Sequence, residues 1–275
     1  MSKKIVVSVI CCIVSIWTSA QSYRENFIRA LNAKDMAKAE EILKAWDYAD
    51  SNDPDLYIAY FNFYTVKSKD AVPLVVTGYD TQFSKKALEF ISEGIERFPT
   101  RFDMRIAKLY MLRELRKYPD YVTETIKMIA YSTKIQNNWK GEEFTLLNYP
   151  EDMFFGAVLD CQEFLFSRDD PSLYKDIIRI SDEMLKYYPK HTQSMLSSST
   201  VYMAQKNIDK SLETLQKAVA IEPTNAIILY NVAYVYKIKG DNENAKKYFE
   251  LTITHSKEQE ENLKENARKH LEELK

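Results

Sequence analysis

The chain has 275 residues, 45% hydrophobic and 13% aromatic, with 19 tyrosines but only five glycines and eight prolines. That apolar content excludes a disordered polymer, and the scarcity of glycine and proline favours long helices over sheets dense in turns. A formal charge of −2 gives no electrostatic reason to bind nucleic acid or an anionic membrane surface.

The first twenty residues read as a secretory signal. Met1-Ser2-Lys3-Lys4 is a positive start, Ile5 to Trp17 is apolar, and Thr18-Ser19-Ala20 offers the small residues that signal peptidase accepts, with cleavage after Ala20. The apolar stretch spans 13 residues, short of the roughly 20 that cross a bilayer, and nothing comparable follows. An uncleaved anchor is the rival reading. Lipidation is rejected because Ile10 and Cys11, not small residues, precede the two candidate cysteines. Export to the periplasm or the outside is expected, with no stable membrane insertion after cleavage. Cleavage removes Cys11, Cys12, Lys3 and Lys4, leaving 255 residues, a charge of −4 and Cys161 alone. No internal disulfide can then form, so stability must come from packing.

Beyond the signal the sequence predicts helical pairs. The first spans 22 to 53, and the second runs from 55 to 99 and stops at Phe98-Pro99. A third, 101 to 133, is split by Tyr118-Pro119. Two segments interrupt the array. Lys69 to Gln82 carries Ala71-Val72-Pro73 and Gly78, and Lys134 to Pro150 carries Asn137-Asn138 and Gly141. Both are expected to be ordered insertions, since they hold Leu74, Val75, Val76, Phe144, Leu146 and Leu147. Residues 151 to 189 predict a helix ending near Ser167, a cap and first turn at Asp170-Pro171, and a stop at Tyr188-Pro189. The tail from Ser256 to Lys275 reads as a charged helix with Leu263, Ala267, Leu271 and Leu274 on one face, a capping helix over about 258–275.

The strongest signal lies at 190–223 and 224–257. Shifting the sequence by 34 residues superposes Pro189 on Pro223, Met195 on Leu229, Ser199 on Ala233, Tyr202 on Tyr236, Ser211 on Ala245, Leu215 on Phe249 and Ala218 on Thr252. Size matches at one offset define a repeat. With Leu229-x-x-Val232-Ala233-x-x-Tyr236, then Gly240-Asp241, Ala245 and Phe249, the pattern resembles the tetratricopeptide repeat family. Small residues at Ala233 and Ala245 let the two helices of a hairpin approach, large ones fill the gaps, and Gly240 permits the reversal. The resemblance implies an all-α fold, a right-handed α-α superhelix or solenoid of about six helical hairpins over 21–275. Ala87, Ile91 and Gly94, and Ala39, Leu43 and Trp46, fit the second-helix slots of earlier hairpins.

Chemistry is sparse. There is no glycine-rich phosphate loop, zinc-binding His pair or nucleophile turn, so no enzyme, cofactor or metal site is expected. His191, His255 and His270 read as solvated surface histidines. Cys161, in an apolar helix, reads as a buried structural thiol, and Asp169-Asp170 before Pro171 as helix caps rather than a catalytic pair.

What the resemblance implies instead is a concave groove lined by first helices. The matching positions are Ile227, Tyr230, Asn231, Tyr234 and Lys237 in the last repeat, and Gln193, Leu196, Thr200 and Met203 in the one before. The basic clamp by which some relatives hold a terminal carboxylate needs several Lys, Arg and Asn residues, and only Asn231 and Lys237 fit. The expected function is a non-catalytic scaffold of the cell envelope binding a peptide or partner protein in this groove. The alternative is a glycan or small-ligand binding protein, since tyrosine-rich grooves suit sugar stacking.

Overall fold

The computed structural model describes residues 22–70, 81–142 and 147–274. Residues 1–21, which hold the segment read as a signal, lie outside the described residues, as do Leu74, Val75, Val76, Gly78, Phe144, Leu146 and the rest of 71–80 and 143–146. The described residues form thirteen α-helices. These are α1 (22–32), α2 (Met36–Ala49), α3 (Pro54–Asp70), α4 (Thr81–Arg97), α5 (Phe102–Glu114), α6 (Tyr118–Lys134), α7 (Pro150–Phe166), α8 (Tyr174–Tyr187), α9 (Thr192–Ala204), α10 (Ile208–Ile221), α11 (Ala226–Lys239), α12 (Asn242–His255) and α13 (Glu261–Glu273). The chain divides into two compact units. Unit 1 runs to Tyr121 and adds Ile135–Glu151; unit 2 holds Val122–Lys134 and Asp152–Lys275.

A recurrent turn ties one helix of a pair to the next. Lys34, Lys206 and Gly240 each adopt the left-handed conformation that ends a helix, with φ of 57°, 59° and 83°. The following residue, Asp35, Asn207 or Asp241, then accepts a hydrogen bond from a main-chain N–H of the next helix, at Lys38, Lys210 or Asn244. Only Gly240 has no Cβ to strain there. Between pairs, Tyr188 and Glu222 leave the helical conformation before Pro189 and Pro223, with ψ of 70° and 74°, since proline disfavours the helical region in the residue before it. Two helices occupy 101–133 as the sequence suggests, but the break lies at 115–117 and Tyr118-Pro119 is not the break itself. It opens α6, because proline is harmless in a first turn whose N–H groups have no helical acceptor.

In unit 1, Ala39, Leu43 and Trp46 are fully buried in one cluster with Phe27, Leu56 and Phe63. The Trp46 indole donates to Asp53 at 2.9 Å. Gly94 marks the closest approach of α3 and α4, for a Cβ there would lie 2.9 Å from Tyr57 Cβ. Part of the second insertion is built into this unit. Trp139 is fully buried against Phe102, ring centroids 5.4 Å apart, while the Phe102 N–H donates to Lys140 O and the Lys140 N–H to Thr100 O, both at 2.9 Å.

In unit 2 the small residues sit where helices cross. Ser199 and Ser211 join α9 to α10 through hydroxyls 2.7 Å apart, both buried. Ala233 and Ala245 occupy the equivalent places between α11 and α12, and Phe249 and Ala267 complete that cluster. Cys161 is buried and receives the Thr125 hydroxyl at 3.5 Å.

Candidate functional site

Helices α7, α9 and α11, the first members of three successive pairs, share a depression of about 310 Å³ in unit 2. Its apolar lining is Leu159 and Phe166 from α7, Ile177 from α8, Leu196 from α9 and Ile227 from α11. Phe166 and Ile227 remain exposed, at 37% and 46%. Its polar lining is Gln162, Gln193, Ser197, Thr200 and Asn231, with Glu163 as the charged residue.

Three of the polar side chains give a hydrogen to their own helix. Asn231 Nδ2 donates to the Ile227 carbonyl at 2.7 Å, the Thr200 hydroxyl to the Leu196 carbonyl at 3.0 Å, and the Ser197 hydroxyl to the Gln193 carbonyl at 3.1 Å. Each reaches one turn back along its own helix. Gln162 is buried, and its Nε2 donates to Ser181 Oγ at 2.6 Å and to the Ile177 carbonyl at 3.3 Å, both on α8. The groove face therefore offers mainly acceptor oxygens and apolar carbon.

Further along α11 the surface belongs to the chain itself. Helix α13 lies against α11 and α12, and His270 projects from it between Tyr230, Tyr234 and Phe249, with ring centroids 6.0, 5.8 and 5.0 Å away. His270 Nε2 is 3.1 Å from the Tyr230 hydroxyl, and Nδ1 is 2.9 Å from Lys237 Nζ. Lys237 also forms an ion pair with Glu273. Hydrogen bonds from Lys237 and then His270 hold the Glu273 carboxyl below its ordinary range, and burial pushes the Tyr230 phenol up.

The sequence-predicted residues thus divide. Gln193, Leu196, Thr200, Ile227 and Asn231 line one depression, and Tyr230, Tyr234 and Lys237 meet α13. Leu196 is 8% exposed and belongs to the α9–α11 core as much as to its surface, and Met203 packs on the same core. Tyr230 likewise packs on the Ala233–Phe249 cluster rather than standing free. Two histidines also depart from expectation. His270 is seated among aromatic rings, and His191 is the cap of α9. Its Nδ1 accepts the Ser194 N–H at 3.3 Å, its ring lies 4.5 Å from Phe155, and burial lowers its pKa. Asp170 does cap as expected, accepting from the Ser172 N–H at 2.9 Å. The α7 contribution was missed. Its signal was available, because Gln162 precedes Leu196 by the same 34 residues that separate Leu196 from Tyr230.

Residues 200–250 match a family model described as TPR repeat. That stretch is similar to the tetratricopeptide repeat. The matched stretch runs from Thr200 on α9 to Glu250 on α12, the segment whose small and large residues pack as just described. No curated protein matches the chain. Among solved structures it is similar to YrrB, titled a TPR protein with an unusual peptide-binding site, at 13% identity over 82% of this chain and 97% of that one, TM-score 0.43. It is also similar to a tetratricopeptide repeat protein from Parabacteroides merdae, at 15% identity over 87% and 81%, TM-score 0.41, and to pilF of Pseudomonas aeruginosa, at 11% over 86% and 90%, TM-score 0.40. At these identities and scores the likenesses bear on neither partner nor activity. Among the described residues, no helix is long and apolar enough to cross a membrane, and no group of three or more His, Cys, Asp or Glu is placed to hold a metal.

Proposed function

We propose that this tetratricopeptide-repeat protein is a non-catalytic scaffold that holds an extended segment of a partner protein across α7, α9 and α11. The observation that carries the reading is the depression itself. Exposed Phe166 and Ile227 flank polar side chains of which Gln162, Ser197, Thr200 and Asn231 are already hydrogen-bonded, the mix of apolar wall and few placed polar groups that ligand sites use. A cluster of Lys and Arg is missing from the lining, so a terminal carboxylate is a poor fit and an internal, extended stretch a good one. Affinity purification of the native protein tests this. Ile227→Asp and Phe166→Ala should lose the captured partner while melting like the wild type; a partner retained by both variants overturns the assignment.

The reading includes export, supported by Lys3-Lys4, the apolar stretch to Trp17 and Thr18-Ser19-Ala20. Mass spectrometry of the native protein should find Gln21 at the N-terminus and the protein outside the cytoplasm. Retention of Lys3 to Ala20, or a cytosolic protein, contradicts it.

A further inference from the structure

We infer that Gln162 reads the partner's main chain, its Oε1 serving as a fixed acceptor in the groove for one backbone N–H of an extended, neutral or basic peptide. The inference rests on the groove being the binding site and adds which atom selects the ligand. Gln162 is 2% exposed, yet it lines the depression. Its amide orientation is decided by α8: the Ile177 carbonyl can only accept, so Nε2 must face it and the oxygen must face away. Ser181 Oγ takes Nε2 as well, and both donors of the amide are engaged. Among the described residues no hydrogen bond reaches Oε1, and that oxygen is not among the fully buried unpartnered polar atoms. It is a polar atom on an almost fully buried side chain that lines the depression, with its amide nitrogen held by α8.

The neighbours repeat the bias. Asn231 gives Nδ2 to its own helix and keeps Oδ1, and Thr200 gives its hydrogen to Leu196 and keeps its lone pairs. A ligand rich in acceptors, such as a carboxylate or phosphate, would find only the Gln193 amide and the second Asn231 hydrogen as donors and would face the Glu163 carboxylate besides. An extended peptide offers N–H groups at regular spacing, and its apolar side chains suit Phe166 and Ile227. Sugars favour broad aromatic faces, and Phe166 is the single aromatic side chain in this lining.

The test pans the full-length protein against a phage library of random linear peptides, then methylates each backbone nitrogen of a selected peptide in turn and titrates the set by calorimetry. On wild type, one methylated position should lose about tenfold or more in affinity, the size of one hydrogen bond in a dry site. On Gln162→Leu the unmethylated peptide should bind about tenfold more weakly, and methylation at that position should cost nothing further. Gln162→Met, which keeps the length and removes both amide groups, takes its place if the leucine variant lacks the wild-type helical signal. Should the methylation penalty survive both substitutions while Ile227→Asp still abolishes binding, Gln162 is not the reader although the groove is the site. If no peptide enriches, or Ile227→Asp leaves binding intact, the groove reading fails first. Enrichment of nothing from the library, with Ile227-dependent binding on a glycan array, assigns the groove to sugars and overturns the inference.

Discussion

Three residues at one register of the repeat, Gln162, Leu196 and Tyr230, follow each other at intervals of 34, and the structure gives them three environments. At the α7 end, Gln162 is anchored by Ser181 and lines a depression that no described residue fills. In the middle, Leu196 closes into the core. At the α11 end, Tyr230 meets His270 of the chain's own last helix. Helical periodicity sets the direction in which a side chain leaves its helix. What it meets there depends on the next element, and α13 takes the place beside α11 while the α7–α9–α11 strip stays open.

Removing α13 should have the largest effect. Truncation after Ser256 uncovers Phe249, Ala233 and Tyr230 and loses the partial burial of Leu271 and Leu274. At about 1.5–3 kcal/mol for a fully buried side chain of that size, this costs roughly 2–4 kcal/mol. Denaturant melts and sedimentation velocity should show a less stable protein that self-associates. An equally stable monomer would separate α13 from the repeat and leave the two ends of the strip alike.

Ala233→Leu comes next. The site is fully buried between α11 and α12, and overfilling it should cost about 1–3 kcal/mol by equilibrium unfolding. Tyr230→Phe keeps the ring on Phe249 and deletes the hydroxyl beside His270, for about 0.5–1.5 kcal/mol. Ile227→Ala, three residues earlier on α11 but at the open end, should change stability by less than about 0.5 kcal/mol. A Tyr230→Phe protein as stable as Ile227→Ala would remove the distinction between the covered and the open stretch.

The smallest effect concerns the His191 cap of α9, one of the open strip's three helices. Burial lowers the native pKa below the ordinary 6.5, so in the window just under that value the unfolded state binds the proton and the native state does not. Stability should be flat above pH 6.5 and fall as pH drops below it. His191→Asn, which keeps an N-cap acceptor, should flatten that fall in thermal melts recorded from pH 8 to pH 5. A wild-type slope retained in the variant would assign it to other groups.

The local devices were legible where they depend on a few adjacent residues. Gly240-Asp241 specified a left-handed end and a cap, Asp170-Pro171 a cap and first turn, and Ala233 and Ala245 a close helix crossing, since each follows from backbone or steric rules within one hairpin. Tyr118-Pro119 misled because proline serves a first turn as readily as it ends a helix. The groove was legible as a face but not in its extent. Gln193, Thr200, Ile227 and Asn231 were identified because the 34-residue offset is clear there, and Gln162 was not, because 151–189 was followed through its stops rather than its register.

By itself, the sequence determined that the chain folds as all-α hairpins and which residues must be small at their crossings. Those are consequences of period, propensity and size, all carried by residues near one another in the chain. Tertiary structure alone decided that His270 sits among Tyr230, Tyr234 and Phe249, that Lys237 is engaged by His270 and Glu273, and that Ser181 and Ile177 hold the Gln162 amide nitrogen. Each of these joins side chains from different helices. Which hydrogens are engaged and which oxygens remain open is fixed only when those helices pack.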